Sequence, residues 1–428
     1  MPILNNKEVI VIIDAWSGGK YLIPAFQALG YFCLHIQSPF LPAIFVKDNQ
    51  LAIDRSDKHI VHDGNFETLL KALKPYAIKA ILAGSEGAVS LADQLNDVLA
   101  LKFTNQATLS AARRNKFLMQ EQLARSDVAS IEQQLITHLD ELRRWLASYN
   151  RWPVVLKPVQ SAGTDGVFIC HSLKQAEQAF DAILSKNDLF GNCNLEVLCQ
   201  EFLEGEEFVV NGIACQGRYF FTELWQSKKK QHNSFPVYET QYLYYQNDAF
   251  FDVLSAYTEQ VCHALGIENG AFHAEVMMTS RGPVLIEIGA RVAGGADPYI
   301  IEECLGHSQI GKLVQAILHP EMFLQESRRE RDFPNHRRAA YVYMISPTKG
   351  WVQSSPEKRF IAIDGVISVN YHHVPGDIQE ETCDLLSSPG VIIVIRDNPV
   401  LLNQAITKIR STESDFYHTS LIAVEYGK

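Results

Sequence analysis

Between residues 154 and 170 the sequence VVLKPVQSAGTDGVFIC sets one lysine into an apolar, β-branched run, follows it with a small polar stretch, and then returns to apolar residues. β-branched segments favour extended backbone, and Ser161, Gly163, Thr164, Asp165 and Gly166 supply turn chemistry, so the stretch predicts an antiparallel hairpin. Lys157 makes this hairpin unusually constraining, because a cation buried in an apolar strand is costly unless it has a partner. The loop has little side-chain bulk, so its backbone N–H groups can approach a ligand closely, and oxygen-rich anions suit such groups. Hairpins of this kind without any ligand are common. A polyphosphate, however, would answer both the loop and the lysine.

The order of elements around the hairpin sets the fold class. A buried strand is expected over 8–14, a turn at Ser17, Gly18 and Gly19, a helix over 21–29, and strands over 31–37 and 80–83. The last is closed by Gly84-Ser85-Glu86-Gly87 and an amphipathic run over 89–99. Strand, Gly-containing turn, helix, strand is the pattern of an open parallel α/β sheet. Lys20 follows two glycines, but neither G-x-x-x-x-G-K-[ST] nor G-x-G-x-x-G is present. Helices are then expected over 109–124 and 131–149, followed by the hairpin, a helix over 173–184, a strand pair within 199–226 and a helix over 251–265. A second hairpin, over 272–295, completes an α+β block. The charged, aperiodic segment ESRRERDFPNHRR, 326–338, marks a boundary, beyond which short strands and Gly/Pro turns are expected.

Composition narrows the partners. At 428 residues with 47% hydrophobic content the chain can build two or three domains. A formal net charge of −11 argues against nucleic acid or an anionic membrane and favours small molecules. The eight cysteines are scattered with no C-x-x-C pair, no signal-peptide pattern opens the chain, and no apolar run nears the ~20 residues of a membrane span. A soluble protein of the reducing cytoplasm is expected.

The second hairpin carries the clearest chemistry. Its strands flank Ser280-Arg281-Gly282-Pro283, which sets Glu275 opposite Glu287; His273 shares a face with Glu275, and Gly289 and Arg291 share one with Glu287 if the strand runs on. Two carboxylates facing each other repel, whereas one or two magnesium ions carrying nucleotide phosphates would make both useful. A Glu287–Arg291 salt bridge and a hydrogen-bonded core histidine at 273 are the plainer alternatives. The run Lys228-Lys229-Lys230 reads as a solvated turn, unless one lysine reaches an anionic ligand.

Taken together, Lys157 with SAGTDGV behind it, QEFLEGEEFVVNG, and HAEV followed by LIEIGAR resemble the ATP-grasp superfamily of carboxylate–amine and carboxylate–thiol ligases. AGSEGAVSLADQL, ARRNKFLMQEQL and GRYFFTELW resemble its branch of bacterial L-amino-acid ligases, over about residues 8–425. The resemblance implies an N-terminal parallel α/β domain (1–109), an ATP-grasp body (110–325) with a mobile lid over about 150–225, and a small α+β C-terminal domain (326–428). It implies that Lys116 and Lys157 contact phosphates, with Ser161, Gly163 and Thr164 in a loop that closes over them. Adenine would meet Glu201, Phe202 and Leu203, and ribose or a nearby ion Glu207. Glu275 and Glu287 would hold magnesium, with manganese as an alternative. Arg291 would steady the transferred phosphate, with Lys157 beside it in catalysis. Glu86, Trp225, His273, Arg291, Gly294 and Gly295 would contact substrates. The superfamily commonly has asparagine where this chain has Gly289.

The implied reaction is phosphorylation of a carboxylate, with an amino acid as the favoured substrate, by MgATP to an acyl phosphate, which an amine attacks to give an amide, ADP and phosphate. A biotin-carboxylase-like or formate-using purine-pathway enzyme and a non-catalytic ATP-binding protein are the alternatives. A homodimer is one open state of assembly.

Overall fold

The computed structural model describes residues 7–160, 166–189, 191–232, 235–245, 248–295, 297–326 and 337–424. The loop residues Ser161, Gly163 and Thr164 lie outside them.

Near the N-terminus, β1 (Val9–Ile13), β2 (Phe32–Gln37), β3 (Lys58–Val61) and β4 (Ile78–Ala83) form a parallel sheet in the order β3-β2-β1-β4. The run VIVII of β1 is buried throughout, as a parallel strand covered on both faces requires. Gly84 ends β4 where a Cβ would stand 2.5 Å from the Asp14 carbonyl oxygen. Only glycine permits that approach, and it delivers Ser85 and Glu86 to the edge of the sheet.

A second, antiparallel sheet comprises β5 (Gln133–Ile136), β6 (Val154–Pro158), β7 (Phe168–Cys170) and β8 (Val197–Glu201), in the order β5-β8-β6-β7. The expected hairpin is β6–β7, paired Val154 to Cys170 and Leu156 to Phe168. Helices Leu139–Tyr149 and Leu173–Leu184 close its core around Leu142, Leu156 and Phe180.

Two helices expected from the sequence are shorter than their apolar patterns suggest. The segment expected as one helix over 131–149 splits into β5 and helix Leu139–Tyr149, because the Glu141 carboxylate accepts from Thr137 N and Oγ1 and starts the helix there. The helix expected over 109–124 likewise begins at Lys116 (Lys116–Arg125), where Asn115 caps the Leu118 N–H.

The largest sheet has eight antiparallel strands in the order β13-β12-β9-β10-β11-β14-β18-β16. It draws on β9 (Gly205–Cys215), β10 (Arg218–His232), β11 (Phe235–Tyr244), β12 (Gly270–Thr279), β13 (Gly282–Gly289) and β14 (Arg338–Tyr343), while β15 (Gly350–Val352) lies apart. β16 (Val366–Tyr371) and β18 (Gly390–Arg396) extend it, and β17 (Ile378–Gln379) and β19 (Leu421–Ala423) flank β15 in a small third antiparallel sheet. The β11–β14 pairing, Thr240 to Val342, carries the large sheet across the boundary expected after residue 325.

One C-terminal expectation is corrected: besides short strands the region holds the 22-residue helix Pro399–Ser420, capped by Asn398. Its buried Leu402, Ala405, Ile406 and Ile409 follow helical spacing and cover β14 and β18. The run Lys228-Lys229-Lys230 is a second correction, since it lies within β10 and pairs with β11. Lys228 and Lys229 are exposed there and Lys230 half-buried, with a register shift between Lys228 and Lys229. Among the described residues no helix is long and apolar enough to cross a membrane, and all eight cysteines are free thiols.

Candidate active site

Alternation along the large sheet collects the site on one face. Glu207, Val209 and Asn211 on β9 share it, as do His273 and Glu275 on β12. Glu275 pairs directly with Glu287 of β13, as the sequence predicts, but β13 ends at Gly289, so Arg291 leaves the sheet on irregular backbone.

Two cavities meet at this acidic pair. The first, of about 190 Å³, lies between the β5–β8 sheet and the large sheet, and Lys116, Lys157, Glu201, Phe202, Leu203 and Glu207 all line it. The second, of about 300 Å³, opens toward the N-terminal sheet and holds Glu86, Trp225, His273, Arg291, Gly294 and Gly295. Glu275, Glu287, Tyr238 and Leu385 belong to both walls. Every described residue expected at the site therefore borders one cavity or the junction.

The cations cluster at that junction. Lys116, at the first turn of its helix, is tied to β6's trailing loop by its N–H to the Val159 carbonyl, and its Nζ stands 2.8 Å from Glu287. This replaces the alternative Glu287–Arg291 bridge. Lys157 is buried beside it; burial, then repulsion from Lys116, lowers its pKa to about 8 against the pull of Glu287 and Glu275. A group so placed gains most from an anionic ligand. For Glu275, burial opposes ionisation, but His273, Lys229 and Lys116 more than offset it and hold its pKa below the ordinary carboxylate value.

Lys229 was open only as an alternative in the sequence. It reaches Glu207 at 2.6 Å and sits 4.3 Å from the centre of the Tyr238 ring, while Tyr238 donates to the other Glu207 oxygen at 2.7 Å. β10 and β11 bring Lys229 and Tyr238 into register, a pairing no short motif announces.

Deeper in the second cavity a row runs across the strands. Asn211 donates from Nδ2 to Glu223 at 2.8 Å, which leaves its Oδ1 to accept from His273 Nδ1–H at 2.8 Å. The His273 Nε2 then faces Glu275 at 3.7 Å. Burial raises the pKa of Glu223 to about 7. His273 is thus both hydrogen-bonded in the sheet and part of the cavity wall. Asn211, Tyr238, Gln241, Tyr341 and Tyr343 are cavity residues that the sequence did not single out.

Arg291 donates from Nε to Glu86 Oε2 at 2.9 Å and from Nη1 to the Val292 carbonyl at 3.0 Å. Arg114 holds the other Glu86 oxygen at 2.5 Å. Burial opposes the charge on Glu86, yet the two guanidiniums hold its pKa down at about 2.

A large sheet thus faces a smaller antiparallel sheet across a cavity lined by two lysines and two paired acids. An ATP-grasp domain model matches residues 150–298. The chain is 78% identical over 422 residues to dapdiamide A synthase of Enterobacter agglomerans, covering 99% of this chain and all of that protein. It is 26% identical over 269 residues to an alanine–anticapsin ligase of Bacillus subtilis, covering 56% of this chain and 53% of that one. The crystal structure of an L-amino acid ligase from Bacillus licheniformis superposes with a TM-score of 0.74 at 15% identity, covering 98% of this chain and 99% of that one. The chain belongs to the ATP-grasp family, among its ATP-dependent carboxylate–amine ligases.

Proposed function

We propose that the protein forms the amide bond of dapdiamide A or a close analogue, by way of an acyl phosphate. The observation that supports this most is the junction: a cavity with phosphate-binding chemistry and a second cavity with an arginine meet at Glu275 and Glu287. ATP in the first cavity would place adenine against Phe202, Leu203 and the carbonyl of Glu201, whose N–H is taken by Glu132. Glu207, with Lys229 beside it, would meet the ribose side, and Lys116 and Lys157 the phosphates.

The acids fit a divalent cation. Glu275 and Glu287 are direct cross-strand partners, and a lysine ammonium already neutralises one of them. Among the described residues no cluster of three metal-binding side chains exists, so phosphate oxygens and water would complete the coordination. Magnesium, or manganese in its place, would supply charge neutralisation at the transferred phosphoryl group.

The carboxylate lies in the second cavity with Trp225, Gly294 and Gly295 around it. Its oxygen attacks the γ-phosphorus, the bond to the bridging oxygen breaks, and ADP leaves. The protein need only position the groups and cancel charge, which Lys157 and Arg291 do from either side. The amine then attacks the acyl carbon, phosphate departs with the oxygen that came from the carboxylate, and the amine gives up a proton. A cytoplasmic location and small-molecule partners follow from this chemistry.

The test incubates the purified chain with MgATP and the carboxylate and amine components of dapdiamide A, and follows product by mass spectrometry with ADP and phosphate in equal amounts. AMP as the nucleotide product would overturn the acyl-phosphate route. Phosphate release without amide, for these components and their analogues, would overturn the ligation.

A further inference from the structure

Two positions after Glu287 stands Gly289, and the structure gives it a reason. A Cβ on Gly289 would lie 2.3 Å from Glu86 Oε2 and 3.3 Å from Arg291 Nε. The Glu86 carboxylate, arriving from the loop after β4, occupies the space that any side chain at 289 would need. We propose that Glu86 is the positioning residue for Arg291, and that Gly289 is present so that Glu86 can reach it. The proposal rests on the assignment of Arg291 to the phosphate junction made above.

The geometry supports this over a direct substrate contact for Glu86. Both its oxygens already meet guanidinium groups, Oε1 with Arg114 and Oε2 with Arg291. A substrate ammonium would have to compete with two arginines already in place, Arg114 buried and Arg291 half-buried. Arg291, for its part, lies beyond the last residue of β13, where no strand pairing fixes its direction. Its orientation comes from two bonds, Nε to Glu86 and Nη1 to the Val292 carbonyl. Among the described residues Nη2 has no protein acceptor, and it belongs to a side chain on the cavity wall. The contact held by Glu86 therefore aims the remaining donor edge at the cavity.

Charge acts in the same direction as the hydrogen bonds. Arg114, buried, and Arg291, half-buried, flank one carboxylate, so the trio carries a single net positive charge. Without Glu86 the two guanidiniums would repel, and Arg291 would swing from its place. Because Glu86 comes from the N-terminal sheet and Arg291 from the large sheet, the pair also makes the placement of the arginine depend on the docking of the two.

The test is a cycle on the full-length protein with Glu86→Ala, Gly289→Asn and both together, and with Glu86→Gln and Arg291→Ala alongside. Thermal unfolding reads the steric half: Gly289→Asn lowers the midpoint in the parent but leaves it unchanged in the Glu86→Ala background. An equal loss in both backgrounds overturns the contact. Hydroxamate formation from MgATP, hydroxylamine and the carboxylate component of dapdiamide A reads the positioning half. Glu86→Ala is expected to cut kcat at least tenfold with KM for the carboxylate within twofold, Glu86→Gln to restore part of it, and Glu86→Ala to add little once Arg291→Ala is present. A raised KM with kcat intact makes Glu86 a substrate ligand and overturns the proposal. If Arg291→Ala itself retains full kcat, it is the assignment of Arg291 that fails, and the positioning proposal falls with it, while the steric cycle still reports on Gly289.

Discussion

Replacing Lys157 with methionine should make the protein more stable and nearly inactive. The lysine is buried, and its pKa falls from the ordinary 10.5 to about 8, first through burial and then through Lys116. A basic group whose folded pKa lies below its unfolded value costs stability in its charged state; the cost is full below the folded pKa and disappears above the unfolded one. At pH 7 the separation of about 2.5 pH units corresponds to about 3 kcal/mol, falling to about 2 kcal/mol at pH 9 where the folded lysine has already lost its proton. Methionine has a similar length and no charge, so Lys157→Met should recover most of this, less whatever imperfect packing takes back. Phosphate is the partner we propose to offset the cost in the parent. Urea unfolding at pH 7 and pH 9 should show the variant more stable, by a smaller margin at pH 9, while MgATP raises the parent's thermal midpoint and barely moves the variant's. A variant less stable than the parent at pH 7, yet still stabilised by MgATP, would refute the reasoning.

Three further outcomes follow from particular contacts. Glu287→Gln keeps shape but removes the charge facing Glu275 and Lys116, so half-maximal activity should need at least tenfold more magnesium; an unchanged titration would place the metal elsewhere. Lys229→Met releases Glu207 and should raise KM for ATP severalfold with kcat little changed, and an effect confined to kcat would remove Lys229 from the ribose side. His35 is buried against His59 at 3.1 Å between ring nitrogens, and burial, with His59, lowers its pKa to about 3. Its folded pKa lies below its unfolded one, so the neutral form is favoured in the fold and stability falls as pH drops from about 6.5 toward 3, at up to about 1.4 kcal/mol per pH unit. His35→Gln should flatten that acid limb, and an identical limb in the variant would show that other groups set it.

The parts of this molecule that could be read from its sequence are those whose cause is local. The β6–β7 hairpin follows from two β-branched runs around turn residues, and the Glu275–Glu287 pairing from the length of one turn. Helix Leu173–Leu184 follows from its apolar spacing and the Ser172 cap. β5 was hidden because Leu135 and Ile136 fit a helical stripe as well as a strand, and only pairing with β8 decides between them. The long C-terminal helix was hidden by its polar outer half. At the site, acids and lysines inside recognisable motifs were legible, and the resemblance assigned Glu86 to substrate. What no local pattern holds is the meeting of distant loops: Glu86 with Arg114 and Arg291, or Lys229 with Glu207 and Tyr238. Gly289 looked like a missing ligand until the carboxylate that fills its space was seen.

If the reaction runs through an acyl phosphate, the carboxylate oxygen becomes bonded to phosphorus before the amide forms. The carboxylate component of dapdiamide A, labelled with oxygen-18 in both carboxyl oxygens, is turned over with MgATP and the amine component, and the released phosphate is analysed by mass. The mechanism predicts one labelled oxygen in each phosphate and one retained in the amide carbonyl. Unlabelled phosphate, or label carried off in AMP, would contradict it.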